Sequence, residues 1–242
     1  MIRIKNLSWH KCGFKNFKLL FNYKTPPKLE NKYEIIGKYK REFYQCKICD
    51  HIAGKLFFKI KENIYQEDYF NATYKNLQGL SNRFNHITRL PFKNSDNKNR
   101  ANRVYNFLNK KKFNLLDIGS GTGVFLHEMK KKGVSAEGLE LDKRYASFCR
   151  IKKIKVIIKH TEIKKKYNLI SFNKILEHVE NPIYELKKYK RFLKKNGLIY
   201  VEVPDVSAKV KGKLSGEFCL EHFQVYSKQS LVNMAKLSNL TP

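Results

Sequence analysis

Leu115-Leu116-Asp117-Ile118-Gly119-Ser120-Gly121-Thr122-Gly123 is the stretch whose reading decides the fold. The run Phe113–Ile118 reads as a short buried strand, the glycines as a loop, and the apolar spacing from Val124 through Lys132 as a helix closed by Gly133. Strand, glycine loop and helix in that order bring backbone N–H groups and a helix N-terminus beside a ligand that can approach closely. A nucleotide-like ligand follows. The dinucleotide fingerprint G-x-G-x-x-G is not met, because the third glycine comes one position early and Val124 occupies the later place. That counts against NAD. At the end of the next strand, Val134–Glu140, stands Glu140, where such folds place a carboxylate for ribose hydroxyls.

Working outward, Lys155–Ile158, Asn168–Phe172 and Gly197–Val203 read as three more strands with helices between them, the alternation of a parallel α/β sheet. Upstream, Leu77, Leu80, Phe84 and Ile87 fit one helix face that ends at Leu90-Pro91, and the polar Lys93–Lys98 is a linker or the start of a helix carrying Val104, Phe107 and Leu108. The expected organisation is a small turn-rich module over 1–60, a Tyr-rich helical segment over 61–101 and the α/β domain over 102–242.

The 242 residues carry 50 Lys and Arg against 21 acids, a net +29 that would favour RNA, DNA or an acidic surface on any scaffold. The excess is spread evenly. It is +15 over 1–110 (23 basic, 8 acidic) and +14 over 111–242 (27 basic, 13 acidic). Lys outnumbers Arg 41 to 9, although guanidinium is the better fork for phosphate, so the charge reads as compositional bias. No apolar run is long enough to span a membrane, and the start lacks a signal-peptide pattern, so a cytoplasmic protein is expected.

Five cysteines do not make a disulfide framework in a chain of this length. Cys46-Lys47-Ile48-Cys49 has the spacing with which two thiolates grip one tetrahedral zinc. An upstream half would be a second C-x-x-C. Cys12 has Trp9 at the matching position, so His10 is the candidate fourth ligand and His51 another. A redox dithiol or unliganded buried thiols are the alternatives. Cys149 and Cys219 read as packing residues.

The glycine loop, the run Glu137–Asp142, Tyr167–Ile170 leading into Ile175-Leu176-Glu177-His178-Val179-Glu180-Asn181-Pro182, and Phe192–Asp205 together resemble the class I S-adenosylmethionine-dependent methyltransferases over roughly 110–240. The resemblance implies a Rossmann-like core, a mostly parallel sheet flanked by helices. It implies that Gly119, Ser120, Gly121 and Gly123 wrap the methionine part of the cofactor, that Glu140 holds the ribose, and that Leu141 packs on adenine. Thr161 or Glu162 would lie near the adenine edge, and Asp117 and Asn173 complete the cofactor set. Asn196 replaces one of two glycines usual before the fifth strand. In that family the core finishes with a helix and two more strands; Lys228–Leu237 reads as that helix and the sequence given reaches Pro242, so either a short sheet or a fragment of a longer chain is expected.

An N-terminal zinc module, a Tyr-rich segment and this core are similar to the sugar-nucleotide C-methyltransferases of deoxysugars, a likeness carried by Gln66–Phe70, Lys93–Lys98 and above all Glu221-His222-Phe223-Gln224-Val225-Tyr226-Ser227. In that family a Glu-His pair supplies the base, a role that maps onto Glu221 and His222. An α-proton beside a keto group calls for a base of near-neutral pKa, as imidazole is, and the resulting enolate for donors, for which Tyr69, Tyr74 and His178 are candidates. The expected function is C- or O-methylation of a nucleotide-linked sugar for glycan or secondary metabolism. The rival readings are an RNA methyltransferase using the basic surface, against which Phe172-Asn173-Lys174-Ile175 lacks an N-P-P-Y-type signature, and a non-catalytic zinc-containing binding protein.

Overall fold

The computed structural model describes residues 10, 12, 16–28, 30, 33–60, 74, 76–109 and 112–242. Along them run strands β1 (Phe17–Tyr23), β2 (Ile35–Ile36), β3 (Arg41–Cys46), β4 (Ile52–Leu56), β5 (Lys59–Ile60), β6 (Asn114–Ile118), β7 (Ser135–Leu139), β8 (Val156–Ile157), β9 (Tyr167–Asn173), β10 (Leu193–Glu202) and β11 (Gln224–Val225). The α-helices are α1 (Leu77–Arg89), α2 (Asp96–Phe107), α3 (Val124–Lys131), α4 (Lys143–Ile151), α5 (Pro182–Lys190) and α6 (Lys228–Leu237). Among the described residues no helix is long and apolar enough to cross a membrane. The chain divides into two compact units, Tyr65–Asn173 with Lys190–Val201, and Met1–Ile64 with Lys174–Tyr189 and Glu202–Pro242.

The first unit is built on a sheet of order β10-β9-β6-β7-β8. β6 lies between parallel partners, with Leu115 opposite both Leu169 and Ala136. Leu115 and Leu116 are fully buried, which is why β6 reads as a continuous apolar run instead of an alternating one. Helical side chains including Leu80, Phe84, Val104, Phe125, Met129 and Phe148 make the core beside it. This is the α/β Rossmann-like core expected, and its sheet has five strands among the described residues.

The punctuation of this unit is legible in its caps. The Asn76 side chain accepts the Gly79 N–H at 2.9 Å to start α1, which stops one residue short of Pro91. Lys93–Lys98 turns out to hold the cap of α2, where the Ser95 hydroxyl accepts the Lys98 N–H at 3.3 Å. Asn196 adopts φ +59°, the left-handed conformation for which glycine is usual and which asparagine tolerates better than most residues.

The second unit is built on an antiparallel sheet of order β1-β3-β4-β11, with β2 and β5 paired separately. All six residues of β3 are buried. Arg41 at its start is 1% exposed, pairs with Glu30 at 2.9 Å and lays its guanidinium over the Tyr23 ring at 4.3 Å. The edge of β4 is covered from far along the sequence. Gln224 and Val225 pair with Ala53 and Ile52, and the Gly54 N–H donates to the Phe223 carbonyl at 2.8 Å. The N-terminal residues are therefore not a self-contained sheet, because an uncovered β4 would leave a row of unpaired donors and acceptors.

Gly54 is what admits the covering segment. A Cβ there would sit 2.9 Å from the Phe43 ring and 3.2 Å from the His222 carbonyl. Gly54→Ala is expected to cost about 1–3 kcal/mol by overpacking, read as a lower urea midpoint with an unchanged slope. An unchanged midpoint would show that this contact is relaxed in solution.

Candidate functional site

The glycine loop leaves β6 at Gly119, where the N–H groups of Gly119 and Ser120 both donate to the Leu139 carbonyl, at 2.9 and 3.2 Å. Gly119, Gly121 and Gly123 all have positive φ. At Gly123 φ is +73° and a Cβ would lie 2.9 Å from the Cys149 sulfur and 3.0 Å from Ile154. Gly123 also stands at the N-cap of α3 without a side-chain acceptor, so first-turn N–H groups of that helix are left for a ligand. Around Gly121 there is open space within 4 Å of where a Cβ would be.

Glu140 follows β7 and is buried. Its Oε2 accepts the Gly121 N–H at 2.7 Å and its Oε1 the Asp142 N–H at 2.9 Å. Burial raises its pKa and these two N–H donors oppose the rise. A carboxylate offers about four acceptor sites, so these donors leave room for a ligand hydroxyl. Asp117, also buried, accepts from the Ser171 hydroxyl at 2.6 Å and from Asn173 Nδ2 at 2.7 Å. Burial pushes the Asp117 carboxyl up to about 7, with Ser171, Asn173 and Arg100 pulling it down and Glu140 adding to the rise.

Two buried polar atoms of this loop region, Ser120 Oγ and Asn173 Oδ1, have no hydrogen-bond partner among the described residues. Buried polar groups are rarely left so, and both lie on residues expected to touch the cofactor. Leu141 is 59% exposed. Thr161 and Glu162 lie in a short 3-10 turn and are exposed, with the Glu162 carboxylate accepting the Ile158 N–H at 3.2 Å. Cys149, expected only as a packing residue, also donates from its thiol to the Gly121 carbonyl at 3.4 Å, which periodicity in α4 does not reveal.

In the second unit the described candidates lie around β11. The Glu221 carboxylate accepts from the Tyr33 hydroxyl, a partner that nothing in the sequence singled out. His222 Nδ1 lies 3.0 Å from the Glu217 carbonyl and His178 Nδ1 2.9 Å from the Glu221 carbonyl, and the two rings meet edge to face at 4.7 Å. A carbonyl accepts only, so in both rings Nδ1 carries the hydrogen and Nε2 the lone pair. Burial lowers both imidazoles, His178 to about 4. Tyr74, in the first unit, packs edge to face on Tyr145 at 5.8 Å. Tyr69 lies outside the described residues.

His10, Cys12, Cys46 and Cys49 bring one ligand atom each to within 4.8 Å of the others, and His10 Nε2 is 3.1 Å from the Cys49 sulfur. Three thiols and one imidazole in one cluster are a donor set that fits tetrahedral zinc. His51 stacks on His10 at 5.2 Å, and its Nδ1 is 3.3 Å from the Ser230 hydroxyl of α6.

A family model described as a methyltransferase domain matches residues 84–242. The chain belongs to this methyltransferase family. The matched span contains the glycine loop, Glu140 and the Glu221-His222 pair, and the S-adenosylmethionine implied by the resemblance fits the unpartnered atoms, open space and carboxylate of the methyltransferase domain. The ubiquinone biosynthesis O-methyltransferase of Pelagibacter ubique is 27% identical over 150 residues, which is 54% of this chain and 62% of that protein. The chain thus matches less than two thirds of that relative's length. Among solved structures, an S-adenosylmethionine-dependent methyltransferase from Archaeoglobus fulgidus shares 19% identity over 60% of this chain and 69% of that one, with a TM-score of 0.49. DesVI from Streptomyces venezuelae shares 16% over 54% and 58%, with a TM-score of 0.44.

Two outcomes follow from the methyltransferase domain's geometry. Glu140→Ala removes an acceptor of charge-assisted hydrogen bonds, so S-adenosylhomocysteine affinity by calorimetry is expected to fall about 10- to 100-fold; an unchanged Kd contradicts the ribose role. Asp117 has its folded-state pKa raised to about 7, above the ordinary carboxylate value near 3.8, so its contribution is fully present below that value and is lost as pH rises through 7. Urea stability of the wild type relative to Asp117→Asn is therefore expected to decline from pH 4 to pH 7 and to level off above it. A flat difference would contradict the shift.

Proposed function

We propose that this protein transfers a methyl group from S-adenosylmethionine to a small-molecule acceptor, and that the acceptor is the sugar of a nucleotide-linked sugar. What carries the first part is the cofactor cradle, in which Ser120 Oγ and Asn173 Oδ1 are buried without partners among the described residues and the Glu140 carboxylate holds the loop backbone. Bound S-adenosylmethionine supplies a methyl group on a positively charged sulfur, ready for in-line attack. The residues of this chain hold and orient the ligand. The Gly119–Gly123 loop and the start of α3 take its amino-acid end, Glu140 accepts from the ribose hydroxyls, and Leu141 offers an apolar face to the adenine. Holding both reactants in line is itself a large share of such catalysis.

The sugar assignment is supported by the Glu221–His222 stretch and by His178. Both imidazoles are fixed by backbone carbonyls with Nε2 presented as the acceptor atom, and Glu221 is anchored by Tyr33. We assign acceptor activation to this stretch. His10, Cys12, Cys46 and Cys49 hold a structural zinc on this reading, and the Ser227 hydroxyl donates to the Cys49 carbonyl, which ties that cluster to the start of α6.

Tritiated methyl transfer from S-adenosylmethionine into a cell extract, fractionated into small metabolites and RNA at physiological salt, tests the proposal. Label in the small-molecule fraction, reduced by His222→Ala, is the expected result. Label in RNA would make the +29 charge functional and overturn the sugar assignment. Elemental analysis of the purified protein is expected to find zinc, of which one equivalent is lost in Cys46→Ser together with thermal stability, since structural zinc sites contribute folding energy outright. Full stability without zinc contradicts the structural role.

A further inference from the structure

Glu177 is the group that neither the cofactor reading nor the zinc reading uses. It is 0% exposed, and apart from its own backbone N–H neither carboxylate oxygen meets a donor among the described residues. A buried carboxylate in that condition is costly unless a proton or a cation neutralises it. Its oxygen, a nitrogen of His178 and a nitrogen of His222 all lie within 4.8 Å of one another.

We propose that Glu177, His178 and His222 form a second metal site, a set of two imidazoles and one carboxylate for a divalent transition-metal ion. Three features of the geometry argue for a metal over a chance cluster. The donor types are right, since imidazole with carboxylate suits zinc, iron, cobalt and manganese, and no thiol is present to divert the site to softer ions. Each imidazole already donates its Nδ1–H to a carbonyl, at 3.0 Å for His222 and 2.9 Å for His178, the arrangement that fixes metal-ligating histidines with Nε2 outward. The backbone around the three is also held. The Phe223 N–H donates to the Glu177 carbonyl at 2.8 Å, and the Tyr226 hydroxyl donates to the Leu176 carbonyl at 2.9 Å, so the two stretches that carry the ligands are tied to each other.

Ligand atoms of one zinc shell stand roughly 3–3.5 Å apart, given metal–ligand bonds of about 2.0–2.2 Å. Drawing in three atoms that lie within 4.8 Å needs side-chain movement of about an ångström. Lys174 contributes positive potential at both Glu177 and His222, so the ion competes with a nearby cation for the same carboxylate. Three protein ligands leave positions open, which is the coordination of sites that act on a substrate oxygen; closed structural sites have four. The inference rests on the acceptor-side half of the proposed function, in which each Nε2 lone pair then binds the ion instead of accepting a proton, and it is independent of the cofactor half.

Cobalt(II) titration of the purified protein tests it without reference to turnover. Thiolate-bound cobalt gives an intense sulfur-to-metal charge-transfer band, whereas cobalt on imidazole and carboxylate shows ligand-field bands alone. One saturable equivalent of the second kind is expected, with affinity at least about tenfold lower in Glu177→Gln and in His222→Ala, as loss of a ligand should cost no less than loss of its supporting partner. Circular dichroism and thermal melting check that the variants fold. Should either fail to fold, anomalous diffraction from cobalt-soaked wild-type crystals is expected to place the ion between the three side chains. No saturable equivalent beyond the thiolate site, an affinity unmoved by folded variants, or anomalous density elsewhere overturns the proposal. S-adenosylhomocysteine affinity, measured in the same samples, reports separately on the cofactor reading.

Discussion

The carboxylate of Glu140 accepts one N–H from Gly121 and another from Asp142, and so joins the loop after β6 to the turn that starts α4. Much of the first unit depends on that junction. The loop must come back across the end of β7 to reach Glu140, and it does so because Gly123 turns left-handed close against Cys149 and Ile154, where a side chain would be strained. Once the loop is there, Asp117 at the end of β6 is sealed from water and is held by Ser171 and Asn173 from the neighbouring strand. The result is a loop that holds fixed backbone donors, a buried carboxyl and two oxygens without partners among the described residues. Such preorganisation is what a charged, flexible ligand needs if binding is not to be spent on ordering the protein.

The second unit solves a different problem. Its sheet is short, and β4 is completed by two residues from beyond position 220. That pairing fixes the backbone next to His222, while Tyr226 and Phe223 tie it to the Leu176–Glu177 stretch. A small polar cluster is thereby held from two distant parts of the chain. The Cys/His cluster connects with the same region through the Ser227 hydroxyl on the Cys49 carbonyl and the Ser230 hydroxyl near His51. Order at the Cys/His cluster and order around His222 are expected to rise and fall together.

The α/β core was readable in the sequence because its signals are local. A strand that stops at spaced glycines, a helix that follows, and a carboxylate at the next strand end all fall within about 25 residues, and the ends of β6, α3 and β7 lie within a residue of where the pattern puts them. Cys46 and Cys49 were readable for the same reason, and His10 followed from the spacing around Cys12. What escaped was non-local. No pattern in Gln224-Val225 announces a partner at Ile52-Ala53, and neither Tyr33 nor Glu177 carries a local mark of its role. Glu177 lies in a stretch that resembles the family, yet only three-dimensional burial distinguishes a carboxylate without donors from a solvated one.

The measurement that reaches the central claim most directly is a crystal structure with S-adenosylhomocysteine bound. The account predicts the amino-acid end against the Gly119–Gly123 loop, the ribose hydroxyls on the Glu140 carboxylate, and new partners for Ser120 Oγ and Asn173 Oδ1. Ligand density elsewhere, or Ser120 Oγ and Asn173 Oδ1 still unpartnered with the ligand in place, would contradict it.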